Sequence, residues 1–242
     1  MQQYYEKSLI IGPSVIDADH LLSHAATFNL LQDVATEHAM ELGIGLNALS
    51  RRSLFWLLVK AKLVFDKRPQ IEDHVVLRTW PETPGPLRCD RSFTLSREGE
   101  VLIRARYEFA IFNTAEQRVV PAPELFPPEL TYELPPALDE PYVRIPGGFR
   151  DMAPFARYTV TSSDIDLGGH MNNAAYPRAL FGCFSVADRR AYDLRCIDMI
   201  FRSPCYEGET LEFRRRDHDG VLDLRASRGD ETVLLARLEP KR

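Results

Sequence analysis

Residues 64–73 read VFDKRPQIED, and residues 200–208 read IFRSPCYEG. Each stretch has an apolar pair followed by a proline, and each leads into a predicted strand that starts near His74 or near Thr210. A second similarity pairs residues 17–24 (DADHLLSH) with residues 164–170 (DIDLGGH), each just ahead of a predicted helix. We interpret both similarities as a diverged internal repeat, so the chain is built from two related halves.

Both halves have the same predicted order of elements, a helix followed by antiparallel strands. In the first half, Ser23 precedes a segment with apolar residues at nearly helical spacing, and Gly43 ends it. In the second half, the spacing predicts a helix from Ala174 to Ala187. Alternation and β-forming residues predict strands over 54–65, 74–80, 91–96, 101–112, 155–161, 194–202, 210–216, 221–227 and 232–238. The pattern predicts an α+β protein in which a long helix wrapped by a curved antiparallel sheet occurs twice.

A proline-rich segment separates the two halves. Eight of the 17 prolines lie between Pro121 and Pro146. Proline lacks a backbone N–H and has a fixed φ, so this segment is neither a central strand nor a helix interior. Its proline density favours an extended, semi-rigid path along the surface. We therefore predict an N-terminal domain over 1–120, a proline-rich linker over 121–150 and a C-terminal domain over 151–242.

Composition and charge exclude several classes of protein. The 242 residues are 45% apolar, which is enough to fill the core of one large domain or two small ones. With 30 basic and 35 acidic side chains, the net charge of −5 gives no broad cationic field, so we expect no nucleic-acid partner. Apolar runs such as 54–59 (LFWLLV) are far shorter than the roughly 18 residues of a membrane-spanning helix.

The cysteines and the N-terminus indicate a reducing compartment. Residues 1–7 lack the features of a secretory signal. Cys89, Cys183, Cys196 and Cys205 form no C-x-x-C pair and no metal-like cluster with the six histidines. The sequence also lacks a P-loop and the G-x-G-x-x-G, G-x-S-x-G and H-E-x-x-H motifs. We expect a cytoplasmic protein with free thiols, no metal and no cofactor.

The densest polar segment, residues 162–173 (SSDIDLGGHMNN), lies between a predicted strand and a predicted helix. Asp166 and His170 stand four residues apart across a glycine turn, so their side chains can converge on a water molecule or on each other. A helix N-terminus adds unpaired N–H groups and a positive dipole end, and Gly169 lets a substrate carbonyl approach the backbone. These groups together are typical of an acyl-transfer site.

Several neighbours of this pair are candidates for supporting roles. Asn172 or Asn173 can cap the helix or hold a water molecule. Cys205 is a minor candidate nucleophile for activation by His170, although a cysteine beside a proline at a strand end is more often an inert thiol. Asp, Gly and Asn are also ordinary turn residues, so a purely structural loop is the alternative, and the motif taken alone favours it. We assign Asp164 to the structure of the turn.

The chain resembles the acyl-[acyl carrier protein] thioesterases of plants and bacteria over nearly its whole length. The resemblance rests on residues 29–35 (NLLQDVA) with His38, on Trp56, on 79–81 (TWP) and 91–93 (RSF), and above all on 164–173 (DIDLGGHMNN). It implies a tandem, or double, hotdog fold with the acyl chain in the N-terminal hotdog and the catalytic site in the C-terminal one. We assign Phe55 and Trp56 to the substrate-binding pocket, whose depth sets the acyl chain length.

By position in the motif, the resemblance places the family's catalytic Asp on Asp166 and its catalytic His on His170. The chain departs from the family's pattern at two positions. Gly168 stands where the family usually has an Asn, and Pro204, before Cys205, stands where it has a Glu. Either the remaining pair suffices with backbone N–H groups and Asn172, or the activity is altered or lost.

The resulting hypothesis is hydrolysis of a fatty acyl-carrier-protein thioester to free fatty acid and holo carrier protein. Asp166 and His170 orient and deprotonate water, and N–H groups near Gly169 and His170 bind the oxyanion; direct attack by Asp166 to form an anhydride stays open. The alternatives are a non-catalytic fatty-acyl-binding or regulatory protein, an acyl-CoA thioesterase, and a hotdog dehydratase or hydratase. The expected partner is an acyl carrier protein bearing an acyl phosphopantetheine. The sequence leaves homodimer formation open.

Overall fold

The structure, a computed structural model, describes residues 2–149 and 152–241. The chain divides into two compact units, Met1–Pro141 and Tyr142–Arg242. Each unit combines helix and antiparallel sheet, as the repeat predicts. No helix in the described ranges is both long enough and apolar enough to cross a bilayer.

In its described residues, 2–141, the N-terminal unit contains two α-helices and six strands. In chain order they are β1 (Tyr5–Ile10), α1 (His24–Glu41), α2 (Leu46–Ser50), β2 (Leu54–Phe65), β3 (His74–Pro81), β4 (Cys89–Arg97), β5 (Glu100–Asn113) and β6 (Arg118–Val120). The strand order is β1-β3-β4-β5-β2, and β6 pairs with the end of β5. The bounds of β2 match the predicted strand, whereas β1, α2 and β6 were not predicted.

Helix α1 forms as the sequence indicates. The Ser23 hydroxyl accepts a hydrogen bond from the Ala26 N–H at 3.1 Å and caps the N-terminus. Gly43, at φ +73°, ends the helix in the left-handed conformation that suits glycine. The apolar side, which includes Phe28 and Leu31, is buried and forms the core of the unit.

Strand β2 contains a bulge between Leu58 and Lys60. An extra residue reverses the alternation of side chains, so Trp56 and Ala61 lie on the same face of the sheet although they are five positions apart. We call this face, which packs against α1, the inner face. The bulge explains why the sequence reads as an apolar run rather than as a clean alternation of residue types.

The proline-rich segment is shared between the two units and does not form a separate linker. Residues 121–141 belong to the N-terminal unit, where Leu125 and Phe126 join the core. The Trp80 indole N–H donates to the Pro135 carbonyl at 3.1 Å. Residues 142–149 belong to the C-terminal unit, where Phe149 is buried against its sheet. Proline excludes this segment from the ladders, but its apolar side chains still pack on the sheets.

The described part of the C-terminal unit, residues 142–149 and 152–241, contains two α-helices and five strands. They are β7 (Ala156–Thr159), α3 (Ala175–Gly182), α4 (Val186–Ala191), β8 (Leu194–Phe201), β9 (Thr210–His218), β10 (Val221–Arg228) and β11 (Glu231–Pro240), with the strand order β8-β11-β10-β9-β7. All of its strand pairs are antiparallel.

The predicted long second helix is two short ones. Helix α3 has 8 residues and α4 has 6. The Ser185 hydroxyl accepts from the Asp188 N–H at 3.0 Å, and the Asp188 carboxylate accepts from the Ser185 N–H at 3.0 Å. This capping box starts a new helix at a point where the apolar spacing alone would continue the first one.

Candidate active site

The loop between β7 and α3 folds back on itself. The Asp166 N–H donates to the His170 carbonyl at 2.9 Å, and the Gly169 N–H donates to the Asp166 carbonyl at 3.0 Å. Gly169 has φ +76°, a conformation in which a residue with a Cβ is strained. The two predicted catalytic residues are therefore brought together on one closed turn.

The side chains of this pair are held separately. One oxygen of the Asp166 carboxylate accepts the Gly168 N–H at 2.8 Å. The His170 ring packs against Tyr206, with 5.1 Å between ring centroids. In the part of the chain that the structure describes, no hydrogen bond or ion pair joins the Asp166 carboxylate to the His170 ring. Both side chains are half-buried, and they can therefore act on a third molecule.

Asp164 anchors the loop from below. Its carboxylate is fully buried, pairs with Arg178 and accepts hydrogen bonds from the Tyr158 hydroxyl at 2.8 Å and from the Thr161 N–H at 2.8 Å. Burial by itself raises the pKa of Asp164, but the hydrogen bonds from Thr161, Tyr158 and Arg178 outweigh it, so the pKa lies below its usual value. The structural role that the sequence suggests for Asp164 is confirmed.

Asn172 caps the start of the following helical segment. Its side-chain oxygen accepts the Ala174 N–H at 2.9 Å, and its own N–H donates to the Asp164 carbonyl at 2.8 Å. Asn173 is half-buried and makes no side-chain hydrogen bond to any described residue. Of the two asparagines, Asn173 is the one whose amide is available to a ligand.

The N–H of Gly169, proposed from the sequence as an oxyanion donor, is already bound to the Asp166 carbonyl. The His170 N–H, by contrast, has no acceptor among the described residues. The turn itself causes this difference, because the hydrogen bond that closes the turn uses the Gly169 N–H and leaves the His170 N–H without an intraloop acceptor.

Cys205 is structural in this arrangement. The residue is completely buried, and its carbonyl accepts the Met171 N–H at 2.8 Å, which fastens the loop to the segment before β9. Burial raises the pKa of the Cys205 thiol, which also contacts the Tyr176 hydroxyl. A thiol with a raised pKa is a poor nucleophile, so the prediction that Cys205 takes part in the chemistry lacks support.

Phe55 and Trp56 lie in the other unit. Neighbouring residues of a strand point to opposite faces, so the two side chains cannot line the same pocket wall. Trp56 is on the inner face, where its indole N–H donates to the Ile44 carbonyl at 2.9 Å and its ring packs against Phe126. Trp56 is half-buried and packs against the core of the unit.

The sequence analysis does not predict three residues that hold the candidate site in place, Tyr158, Arg178 and Tyr206. Tyr158 and Arg178 hold Asp164, and Tyr206 packs on the His170 ring. They come from β7, α3 and the segment before β9, and no local motif marks any of them. Only the pairing of these elements in space connects them to the loop.

Two family models match the chain, the acyl-ACP thioesterase N-terminal domain over residues 2–127 and the acyl-ACP thioesterase C-terminal domain over residues 150–234. Together they cover most of its length. The chain belongs to the acyl-ACP thioesterase family. The family expected from the motifs is thus confirmed.

Named relatives in this family include plant enzymes. The chain is 25% identical over 221 residues to the chloroplastic palmitoyl-acyl carrier protein thioesterase of Cuphea hookeriana, covering 86% of this chain and 53% of that one. It is 24% identical over 228 residues to the chloroplastic dodecanoyl-[acyl-carrier-protein] hydrolase of Cinnamomum camphora, covering 87% and 56%. The chain spans about half the length of these relatives.

Solved structures of the family share the fold. An acyl-ACP thioesterase from Bacteroides thetaiotaomicron superposes with a TM-score of 0.86 at 21% identity, covering 99% of this chain and 98% of that one. The 12:0-ACP thioesterase from Umbellularia californica gives a TM-score of 0.83 at 19% identity, covering 100% and 99%. The predicted double hotdog fold is confirmed.

Proposed function

We propose that this chain hydrolyses fatty acyl-carrier-protein thioesters to free fatty acid and holo carrier protein. The observation that carries the proposal is the closed turn that places an acid, an imidazole and an unpaired N–H within five residues, 166–170. Family membership supports the choice of thioester chemistry, because the family models are named for acyl-ACP thioesterases.

Each residue of the candidate site has a separate role in the proposed hydrolysis. One oxygen of the Asp166 carboxylate is held by the Gly168 N–H, and the other has no partner among the described residues, so it can accept a proton from water. The His170 imidazole orients that water. The His170 N–H and the Asn173 amide donate to the carbonyl oxygen as it gains charge. The C–S bond then breaks as the acid is formed, and the carrier's thiolate takes the proton from Asp166, which regenerates the carboxylate.

The departures from the family pattern bear on this mechanism. Gly168 contributes its backbone N–H to Asp166 where the family usually has an asparagine side chain at that position. Pro204 contributes only a carbonyl, which accepts from Arg228 at 3.3 Å. The proposed mechanism therefore needs one carboxylate and one imidazole, and no second acid.

A thiol-release assay tests the proposal. Wild type and His170→Ala are compared on a series of acyl chains attached to carrier protein and to coenzyme A, and the exposed His74→Ala serves as the matched control. We expect His170→Ala to lower kcat about 100- to 10,000-fold and His74→Ala to leave it unchanged.

The same assay separates the alternatives. Faster turnover of the coenzyme A thioesters would identify an acyl-CoA thioesterase. Tight retention of acyl carrier protein by the wild type without thiol release would contradict hydrolysis and support a non-catalytic binder. Hydration of enoyl thioesters would identify the hydratase alternative. A cytoplasmic location and a homodimer stay predictions.

A further inference from the structure

A buried cation without a counter-ion lies on the inner face of the N-terminal sheet. Arg91, on β4, is 7% exposed. Its Nη1 donates to His38 Nδ1 at 3.0 Å and to the Thr79 hydroxyl at 3.3 Å. Within residues 2–149 and 152–241, no carboxylate pairs with Arg91, and its Nε and Nη2 have no acceptor. The adjacent Asp90 binds Arg106.

His38 does not supply the missing negative charge. An arginine can only donate, so His38 Nδ1 is the acceptor and the ring proton is on Nε2. Burial and the neighbouring Arg91 cation lower the pKa of His38 to about 3. The imidazole is therefore neutral at physiological pH, and the cluster carries the full positive charge of the guanidinium.

A second buried polar group without a partner lies beside Arg91. Tyr107, on β5, is directly opposite Arg91, so the two side chains share the inner face. Tyr107 is 2% exposed, and its hydroxyl has no partner among the described residues.

Both unpaired groups can donate. A guanidinium that only donates and a phenol that can donate together complement a group that only accepts hydrogen bonds and carries negative charge, and a carboxylate has both properties. Leaving a buried charge uncompensated is costly, and a bound anion removes that cost. The rings around Tyr107, those of Phe93 at 4.9 Å and Phe28 at 6.2 Å between centroids, suit an aliphatic chain.

We propose that the inner face of the N-terminal unit holds a binding site for the carboxylate of a free aliphatic acid, with Arg91 as the charged anchor and Tyr107 as a further donor. The site does not depend on hydrolysis by the other unit.

Calorimetric titration of the full chain tests the site with decanoate and with the uncharged decanamide as probes. We expect the wild type to bind decanoate at least about tenfold more tightly than decanamide, as expected for a charge-assisted pair. Arg91→Met should abolish this preference. The matched control is Arg104→Met, on the same sheet but paired with Asp66 at 2.7 Å, and it should keep the preference.

Equal affinity for the two probes, or a preference that survives in a folded Arg91→Met protein, would overturn the proposal. Tyr107→Phe keeps the ring and removes only the hydroxyl, so it carries the test if Arg91→Met fails to fold. We expect Tyr107→Phe to weaken decanoate binding about threefold and decanamide binding not at all, as for the loss of one hydrogen bond. An unchanged preference in that variant would also count against the site.

The calorimetric result does not depend on turnover. Failure of the proposed hydrolysis would therefore leave the preference for decanoate intact, and loss of that preference would leave the hydrolysis untouched.

Discussion

The two units contain the same loop, and the candidate active-site residues Asp166 and His170 lie in the loop of the C-terminal unit. In the N-terminal unit the Asp17 N–H donates to the Leu21 carbonyl at 2.8 Å, as the Asp166 N–H donates to the His170 carbonyl at 2.9 Å. Each carboxylate accepts the N–H two positions further on, at 2.9 Å in the first loop and 2.8 Å in the second. The loop backbone is therefore a structural repeat.

The attachment of each loop to its sheet is repeated as well. The Leu22 N–H donates to the Pro69 carbonyl at 2.7 Å, and the Met171 N–H donates to the Cys205 carbonyl at 2.8 Å. Because both loops are attached to their sheets in the same way, the loop backbone alone does not distinguish a catalytic loop from a structural one. Any difference in catalytic ability must come from the side chains that differ.

Two differences remove the chemistry from the first loop. Leu21 occupies the position of His170, so the imidazole is missing. Arg68, at the position equivalent to Pro204, pairs with Asp17. Burial raises the pKa of Asp17, but the hydrogen bond and the charge of Arg68, together with the backbone N–H groups of Asp19 and Leu21, outweigh it and lower the pKa overall. The comparison shows that the same loop backbone leaves its carboxylate available only in the unit where no cation pairs with that carboxylate.

The largest expected difference between the loops is in turnover. We expect Asp166→Asn to lower kcat about 100- to 10,000-fold, because a neutral amide cannot accept the proton of water. The equivalent Asp17→Asn should leave kcat within about twofold, since the first loop has no role in proton transfer. Thiol release measured on both folded variants checks the contrast. A rate loss under tenfold in Asp166→Asn would refute its role as the base.

The anchor of the second loop should be visible in stability. Asp164→Asn replaces a fully buried, hydrogen-bonded carboxylate, and we expect it to lower the free energy of unfolding by about 2 to 3 kcal/mol at neutral pH. The pKa of Asp164 is lower in the folded chain than in the unfolded one, so its contribution is complete above about pH 4 and is lost as the pH falls.

Urea unfolding at neutral pH and near pH 3 measures this effect. The difference between wild type and Asp164→Asn should shrink at the lower pH, because Asp164 is then largely protonated in the unfolded wild-type chain and folding must remove that proton. The exposed Asp219→Asn, in the same unit, is the control and should show no difference at either pH. An Asp164→Asn protein as stable as wild type at neutral pH would show that the anchor is dispensable.

A single substitution can impose the first loop's arrangement on the second. Pro204→Arg places a cation at the position that Arg68 has beside Asp17. We expect it to pair with Asp166, to lower the pKa of that carboxylate and to reduce kcat about 10- to 100-fold. Pro204→Met, which removes the proline without adding charge, is the control in the same assay. Equal rates for the two variants would show that the cation is not what separates the loops.

Much of the fold could be predicted because periodicity and caps are local. Ser23 and Gly43 delimit α1, and the strand predicted over 54–65 is β2 as the structure has it. The break between α3 and α4 was missed because a capping box at Ser185 overrides continuous apolar spacing. Strand β1 was missed because its residues lack the alternation of a half-buried strand.

The candidate site was predicted only as far as residue chemistry reaches. Asp166 and His170 were found because an acid and an imidazole flank glycines before a helix. The sequence similarity places Asp17 opposite Asp164, which is two residues out of register. The second copy has two aspartates, and only the hydrogen bonds show that Asp166 is the one that corresponds to Asp17. Tyr206, in the segment before β9, contacts the His170 ring, and no local sequence pattern predicts that contact.

The smallest expected difference concerns backbone strain at the corner of each loop. His20 has φ +60° where Gly169 has φ +76°. A Cβ at position 169 would meet no atom within 4 Å, so Gly169→Ala should cost only the conformational strain, about 1 kcal/mol. His20→Gly relieves similar strain but loses chain entropy on folding, so its net gain should be at most about 1 kcal/mol. Urea midpoints of the two variants measure these shifts. Because the corners share one conformation, the shifts should have opposite signs, and a stabilising Gly169→Ala would show that the two loops do not share a strained corner.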